Sequence, residues 1–338
     1  MRILVTGGAG FIGSNLVHYL LENRPRDQVI VIDALTYAGN LANLKRWEND
    51  ARLEFIKGDI ADPGSMAECY KNGVDVVFHL AAESHVDRSI KEPAIFVRTN
   101  VLGTQMLLDA SRHFSVKRFI HVSTDEVYGS LGPEGYFTEE TPIAPNSPYS
   151  ASKASADLLV RAYVQTYDFN AVITRCSNNY GPYQFPEKLI PLFITNAVMD
   201  KPLPLYGDGM NVRDWIHVHD HCRALELIME KGIKGEVYNI GGRSERTNIM
   251  ITEAILYVLG KPKSLIRFVT DRPGHDRRYA IDPTKIETQI GFRLKISFEE
   301  GLKKTIAWYT ENRSWWEAVR SGEYLTYYER MYGDRLKT

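Results

Sequence analysis

The sequence has little that would fix its fold by covalent or compositional means. Three cysteines in 338 residues, Cys69, Cys176 and Cys222, show no framework spacing. This excludes a disulfide-stapled scaffold and suits a reducing compartment, where free cysteine serves as a small apolar residue. No apolar run approaches the ~20 residues that cross a bilayer. No apolar signal segment opens the chain, which starts directly in Arg2-Ile3-Leu4-Val5. Neither a membrane partner nor a secretory signal is expected, and the expected location is cytoplasmic. Charge of one sign is also missing: 41 Lys and Arg face 42 Asp and Glu, which argues against a general nucleic-acid binder. Internal repeats and low-complexity tracts are absent. What is left is a chain long enough to bury a large core and hold two lobes.

What is present is a succession of strand-like and helix-like stretches. Ile3-Leu4-Val5-Thr6 reads as a short strand, Gly7-Gly8-Ala9-Gly10-Phe11-Ile12-Gly13 follows, and Ser14 to Leu21 has helical periodicity. Gly7 suits a tight turn, Gly10 lets the backbone approach a pyrophosphate, and Gly13 allows close packing of the helix. The helix N-terminus offers N–H donors to phosphates. Val29-Ile30-Val31-Ile32 is a second strand, closed by Asp33, twenty residues after Gly13. A carboxylate there accepts hydrogen bonds from ribose hydroxyls and repels a 2′-phosphate, which favours NAD over NADP. Leu53 to Lys57 and Val74 to Leu80 are further strands. Asp59, after the first of these, suits an adenine amino group or a solvated loop. Ala81-Ala82 after the second can let a cofactor lie against backbone. Glu83 to Arg88 reads as a substrate-facing or solvated loop. The expected fold is α/β, a Rossmann-type doubly wound parallel sheet with a smaller, interleaved C-terminal substrate-binding lobe.

The densest chemistry follows the strand Arg118-Phe119-Ile120-His121-Val122. Ser123-Thr124-Asp125-Glu126-Val127-Tyr128-Gly129 lies past its C-terminal end, where ligands of open α/β sheets sit. Pro148 then opens a helix, and Tyr149 and Lys153 share one face of it. A lysine ammonium and a helix N-terminus are expected to lower the tyrosine pKa, by roughly 1–3 units for the charge. Such a pair beside a nicotinamide suits removal of an alcohol proton while its carbon gives up a hydride. Thr124 can orient the hydroxyl. Asp125 and Glu126 are then left over, and suit one base for an acidic C–H beside the new ketone and one acid for a departing hydroxyl. Oxidation followed by elimination employs both.

Ala94 to Phe114 and Pro148 to Tyr167 are expected helices, each with apolar residues to spare, which suits a dimer interface. Ala171 to Arg175 is a buried-type strand. Prolines become frequent after Asn178, and a second lobe is expected to begin there. Asp214 to Val218 and Glu236 to Ile240 read as strands returning to the first lobe. The expected division is residues 1–177 and 214–242 for dinucleotide binding, and 178–213 and 243–338 for substrate. Asp271 to Tyr279 is the one dense basic cluster, either a phosphate contact or a solvated loop. His217, His219 and His221 alternate beside Cys222, but a helix expected from Asp220 onwards (His221 to Met229) keeps the imidazoles from converging, so no metal site is expected. The tryptophans, among them Trp215, Trp315 and Trp316, read as core or lobe-packing residues.

The glycine motif, Tyr149-x-x-x-Lys153 and Tyr180-Gly181-Pro182 resemble the extended short-chain dehydrogenase/reductase family. Thr124-Asp125-Glu126-Val127-Tyr128-Gly129 resembles its dTDP-glucose 4,6-dehydratase branch, as do residues 81–89, 175–183 and 271–279. Ala34 departs from the lysine that many members carry there and leaves Asp33 unchanged. The resemblance implies a cycle on dTDP-glucose. Tyr149, assisted by Lys153 and Thr124, takes the 4-OH proton as the C4 hydride goes to NAD. Glu126 removes the C5 proton, Asp125 protonates the departing 6-OH, the hydride returns to C6 and C5 is reprotonated, giving dTDP-4-keto-6-deoxyglucose. The resemblance further implies NAD contacts from Phe11, Ile12, Asp33, Leu35, Thr36, Asp59, Ile60, Ala81, Thr99 and Asn179, beside Tyr149 and Lys153. For the nucleotide sugar it implies Ser84, Asn178, Lys188, Leu189, Pro204, Tyr206, Arg213, Asn248, Arg272, His275 and Tyr332, with Arg213 and Arg272 at the pyrophosphate. It also implies a homodimer built through a four-helix bundle.

Three other readings compete. A UDP- or CDP-glucose 4,6-dehydratase shares the chemistry and differs in the base pocket. A UDP-sugar 4-epimerase uses the same cofactor and Tyr/Lys pair but has no elimination for Asp125 and Glu126 to serve. A nucleotide-sensing binder has no need of a matched acid and base.

Overall fold

The computed structural model describes residues 1–271, 274–320, 328–329 and 332. Twelve strands are described: β1 Arg2–Thr6, β2 Gln28–Asp33, β3 Leu53–Lys57, β4 Val76–His79, β5 Arg118–Thr124, β6 Ala171–Cys176, β7 Asn178–Tyr180, β8 Leu203–Tyr206, β9 Val212–His217, β10 Val237–Ile240, β11 Glu245–Thr247 and β12 Ile266–Val269. Seven form one sheet in the order β10-β6-β5-β4-β1-β2-β3, with every pairing parallel. The order reverses between β1 and β4, so a crevice opens beyond the carboxyl ends of those two strands.

Parallel strands need helical crossovers, and alternate strand residues serve the two faces. One face packs α1 (Phe11–Asn23) and α8 (Val218–Lys231), with Leu16, Val17, Leu20 and Ile228 meeting Ile3, Val5, Val29 and Val31. The other packs α2 (Pro63–Tyr70), α5 (Gly103–His113) and α6 (Pro148–Tyr167), with Leu107, Leu108 and Val160 meeting Leu4, Ile30, Val77 and Phe119. The short helices α3 (Val86–Lys91) and α4 (Pro93–Phe96) lead into α5. The helix expected over Ala94 to Phe114 is thus broken: Val97–Leu102, between α4 and α5, is a π-helical turn. There Asn100 turns into the core, its Nδ2 donating to the Glu83 carbonyl at 3.0 Å and to Ser152 Oγ at 2.8 Å.

A second body has its own core, built from α7 (Leu189–Val198), α9 (Asn248–Leu259), α10 (Phe298–Glu311), α11 (Arg313–Val319) and the β8–β12 pair. Trp215 and Trp316 are buried in it. One strand departs from expectation. The Asp214 to Val218 stretch, which is β9 as far as His217, does not return to the large sheet; β9 lies between β7 and β11 in a separate three-stranded sheet. Its Asp214 carboxylate accepts from Gly242 N and Ser244 N, which fixes β9 against the turn leading to β11. Only β10, from the Glu236 to Ile240 stretch, joins the large sheet, beside β6.

Candidate active site

The glycines divide their work as their surroundings require. Gly7 has φ +68°, and a Cβ on it would stand 2.8 Å from Ala81. A Cβ on Gly13 would stand 2.1 Å from the Gly7 carbonyl oxygen, so the close approach is of helix to loop. Gly10 is the N-cap of α1 and supplies no side-chain cap, which leaves the first N–H groups of the helix to face the crevice. Asp33 is buried; Oδ2 accepts from Ala9 N at 3.0 Å and Oδ1 from Leu35 N at 2.8 Å. Burial raises its pKa, and these donors oppose the rise. An uncapped helix start with a glycine-cleared approach fits a dinucleotide pyrophosphate, and Asp33 at the lip fits a ribose.

These residues line a cleft of about 350 Å³ at the crevice. Phe11, Ile12, Thr36, Asp59, Ile60, Ala81, Ser84, Thr99 and Asn179 line it too, as do Thr124, Asp125, Glu126, Tyr149 and Lys153. Leu35 does not line it; its backbone, at φ +53°, serves Asp33. Asp59 holds its own loop through Ala61 N and pairs with Arg98 at 2.6 Å. A second cleft, about 150 Å³, is lined by Asn178, Lys188, Leu189, Pro204, Tyr206, Arg213, Asn248, His275 and Tyr332. Arg272 lies outside the described residues. Glu126, Asn178, Glu187 and Lys188 line both clefts, so the two meet at Glu126.

Local structure sets each reacting group. Thr124 ends β5 and caps the turn Asp125–Tyr128, accepting from Glu126 N at 3.3 Å; its hydroxyl also lies 3.3 Å from Asp125 Oδ1. Ser147 and Ser150 form a capping box at the start of α6, and Pro148 is its first residue, so Tyr149 stands in a fixed first turn. Lys153 Nζ donates to the Val122 carbonyl at 2.8 Å. Burial holds the Asp125 pKa well above its ordinary value, reinforced by Glu126 and Asp214. Burial brings the Lys153 ammonium down to about 8.

Tyr149 differs from expectation: its pKa is raised well above 10. The phenol is buried, and the nearby Glu126 carboxylate opposes a second negative charge. Thr124 works the other way.

Glu187 was not legible in the sequence. It is buried, its pKa is pushed up to about 7 by burial, and Arg88 stands 3.3 Å from it. Its one sequence signal is its place before Lys188. Tyr279, which lines the second cleft beneath the Arg213 guanidinium at 4.3 Å, was likewise unassigned within the basic cluster. His217 caps α8 by accepting from His219 N, and His221 meets Asn179, so these histidines have capping and packing roles.

A parallel sheet with a dinucleotide crevice, and a Tyr–Lys pair on the helix beside it, is the architecture of the extended short-chain dehydrogenases/reductases. Within that class the chain belongs to the family described as GDP-mannose 4,6 dehydratase, matched over residues 4–305. A dTDP-glucose 4,6-dehydratase from Streptomyces niveus is 51% identical over 330 residues, 96% of this chain and 98% of its own. One from an Actinoplanes species is 53% identical over 321 residues, 94% of this chain and 100% of its own. Among solved structures, DesIV, a dTDP-glucose 4,6-dehydratase from Streptomyces venezuelae with NAD and TYD bound, is similar with TM-score 0.92 and 55% identity, over 94% of this chain and 100% of that one. A Thermotoga maritima UDP-glucose 4-epimerase with UDP-glucose follows at TM-score 0.87 and 34% identity, over 93% and 100%.

Proposed function

We propose that this protein is an NAD-dependent dTDP-glucose 4,6-dehydratase, forming dTDP-4-keto-6-deoxyglucose and water. The observation that carries the reading is the placement of Asp125, whose pKa burial raises, next to Glu126, which lines both clefts, with Tyr149 and Lys153 in the first cleft. An epimerase has no departing hydroxyl for Asp125 to protonate. The relatives named above carry the same activity in their names.

In this reading Phe11, Ile12 and Gly13 at the helix start meet the pyrophosphate of NAD, with Asp33 at its ribose. Bound there, NAD supplies a hydride acceptor, later a donor, and in its oxidised form a positive ring. Thr124 Oγ1 orients the sugar 4-OH, and Tyr149 Oη receives its proton. The raised Tyr149 pKa means that the phenolate depends on nearby positive charge, from Lys153 and the oxidised ring. Glu126 takes the C5 proton, acidified by the C4 ketone, and Asp125 gives its proton to the departing 6-OH, which leaves as water; once C6 has regained the hydride, C5 is reprotonated. Arg213 is the pyrophosphate partner in the second cleft, with Pro204 and Tyr206 beside the base.

The division at residues 178 and 243 belongs to the same proposal; with β9 counted in the substrate lobe, the boundary expected at 214 moves to 218. So does a cytoplasmic location; no described helix is long and apolar enough to cross a membrane. A homodimer through a four-helix bundle is supported by exposed apolar residues in neighbouring helices: Ile90, Ile95, Val97, Leu102, Leu158 and Tyr167.

The test is product mass after incubation with dTDP-, UDP-, CDP- and GDP-glucose. Loss of one water from dTDP-glucose, with little from the others, is expected. Loss from UDP- or CDP-glucose instead would reassign the base, and unchanged mass with inverted C4 would make the protein an epimerase.

A further inference from the structure

The sheet face that packs α5 and α6 carries a line of polar groups that the chemistry above does not use. Tyr149, Lys153 and Asp157 follow one another at single-turn spacing on the same face of α6, and all are buried. Asp157 Oδ2 accepts from Arg175 Nε at 2.9 Å, and Oδ1 lies 3.3 Å from His121 Nε2. Arg175, in β6, is buried, and its guanidinium covers the Tyr128 ring at 4.7 Å. Tyr128 closes the turn that bears Asp125 and Glu126, and its hydroxyl donates to Asn239 Oδ1, in β10, at 2.8 Å. An unbroken chain of contacts therefore runs from the Tyr149–Lys153 face through Asp157 and Arg175 to the acid-bearing turn.

Taking an ion pair out of water is costly, and an apolar pair of similar volume would often serve stability as well. Its presence beneath two sets of reacting groups calls for another role. We propose that the buried Asp157–Arg175 pair is a positioning device that holds the helix face bearing Tyr149 and Lys153 in register with the turn bearing Asp125 and Glu126, so that oxidation and elimination act on one sugar pose. Asp157 also governs the charge of Lys153. The titratable groups that interact with that ammonium are Asp157 on α6, Cys176 on β6, His121 on β5 and His79 on β4. Burial alone lowers Lys153, and among these groups the Asp157 carboxylate is the largest influence holding it up. His121 and His79 are buried and kept neutral, so they add no charge of their own at neutral pH.

The proposal rests on the dehydratase reading for its kinetic arm only. In Asp157→Asn, NMR titration of labelled lysine without substrate is expected to show the Lys153 midpoint lowered by about one pH unit. In Arg175→Lys, which keeps the charge but loses the flat cover on Tyr128, C4 oxidation should persist. Elimination should slow about 10- to 100-fold, the scale of a small misplacement, so that enzyme-bound NADH accumulates. A purely structural pair would lower both half-reactions alike and leave the lysine midpoint where it was, and that result overturns the proposal. If Asp157→Asn does not fold, Asp157→Glu and Arg175→Lys keep the test: an unchanged ratio of elimination to oxidation in both would equally overturn it. Wild-type protein that forms no product from dTDP-glucose would sink the dehydratase reading, while the lysine titration still decides the pair.

Discussion

At the residue scale, the site separates groups by the charge their surroundings permit. Asp125 and Glu126 are neighbours in sequence, yet burial and the Glu126 charge raise the Asp125 pKa, which suits an acid and a base side by side. Asp125→Asn and Glu126→Gln are therefore expected to retain hydride transfer from C4 and to accumulate enzyme-bound NADH, followed by its absorbance in a single turnover. Glu126→Gln should suppress exchange of the C5 hydrogen with deuterated water. A 6-fluoro substrate, whose leaving group needs no protonation, should partly rescue Asp125→Asn; rescue of Glu126→Gln instead would reverse the two roles. Tyr149→Phe keeps the ring packing against Phe96 and should slow C4 oxidation by about 10²–10⁴. Near-normal NADH formation in that variant would assign the base elsewhere. The identities of these residues were legible because adjacent carboxylates after a strand, and a tyrosine four residues before a lysine, are local patterns. The tyrosine's pKa was not. It depends on how completely the phenol is buried and on where Glu126 points, which no spacing encodes.

At the element scale, the α1 entry shows how tightly sequence can fix a turn. Gly13→Ala would drive a methyl into the Gly7 carbonyl, so the loop or the helix must shift. We expect a loss of about 1–3 kcal/mol in unfolding measurements, with NAD content falling further than stability does. Full NAD retention would show that the loop gives way freely. The strands of the large sheet were readable from continuous apolar runs, since a parallel sheet is covered on both faces. Two elements were not. Asp214 to Val218 has a strand's composition, but its partners come from residues 178–180 and 245–247, and pairing over such distances leaves no mark in a local window. The π-helical turn at Val97–Leu102 keeps helical periodicity on either side, and Asn100 gives no sequence sign that it turns inward.

At the scale of the whole molecule, two clefts share a wall at Glu126, Asn178, Glu187 and Lys188, where the proposed reading brings cofactor and sugar together. With the hydride returned within each turnover, NAD has no reason to leave. Purified protein is expected to carry NAD and to sustain turnover without a stoichiometric supply; a requirement for one NAD per product would contradict the internal return. The exposed apolar band on the α3–α6 side gives a prediction about assembly. Leu158→Glu places a charge in the middle of that band and should shift the solution mass from dimer to monomer with the fold intact by circular dichroism. A wild-type protein already monomeric would remove the four-helix bundle. The surplus of apolar residues on each helix was legible in the sequence; which of them stay exposed, such as Val97 and Leu158, was not.

The route of the chain through the large sheet also bears on how the protein is made. Strand β10 lies at the sheet's edge beside β6, but Asn178 to His217 pass into another sheet and another core before it is reached. On a ribosome, the first six strands emerge while β6 still presents a bare row of backbone donors and acceptors, and the peptide that covers them is some sixty residues away. During that interval β6 is a ready partner for any other nascent chain. A message cut short between Cys176 and Val237 would leave this edge permanently open, and its product should be found in inclusion bodies rather than as a soluble half-enzyme.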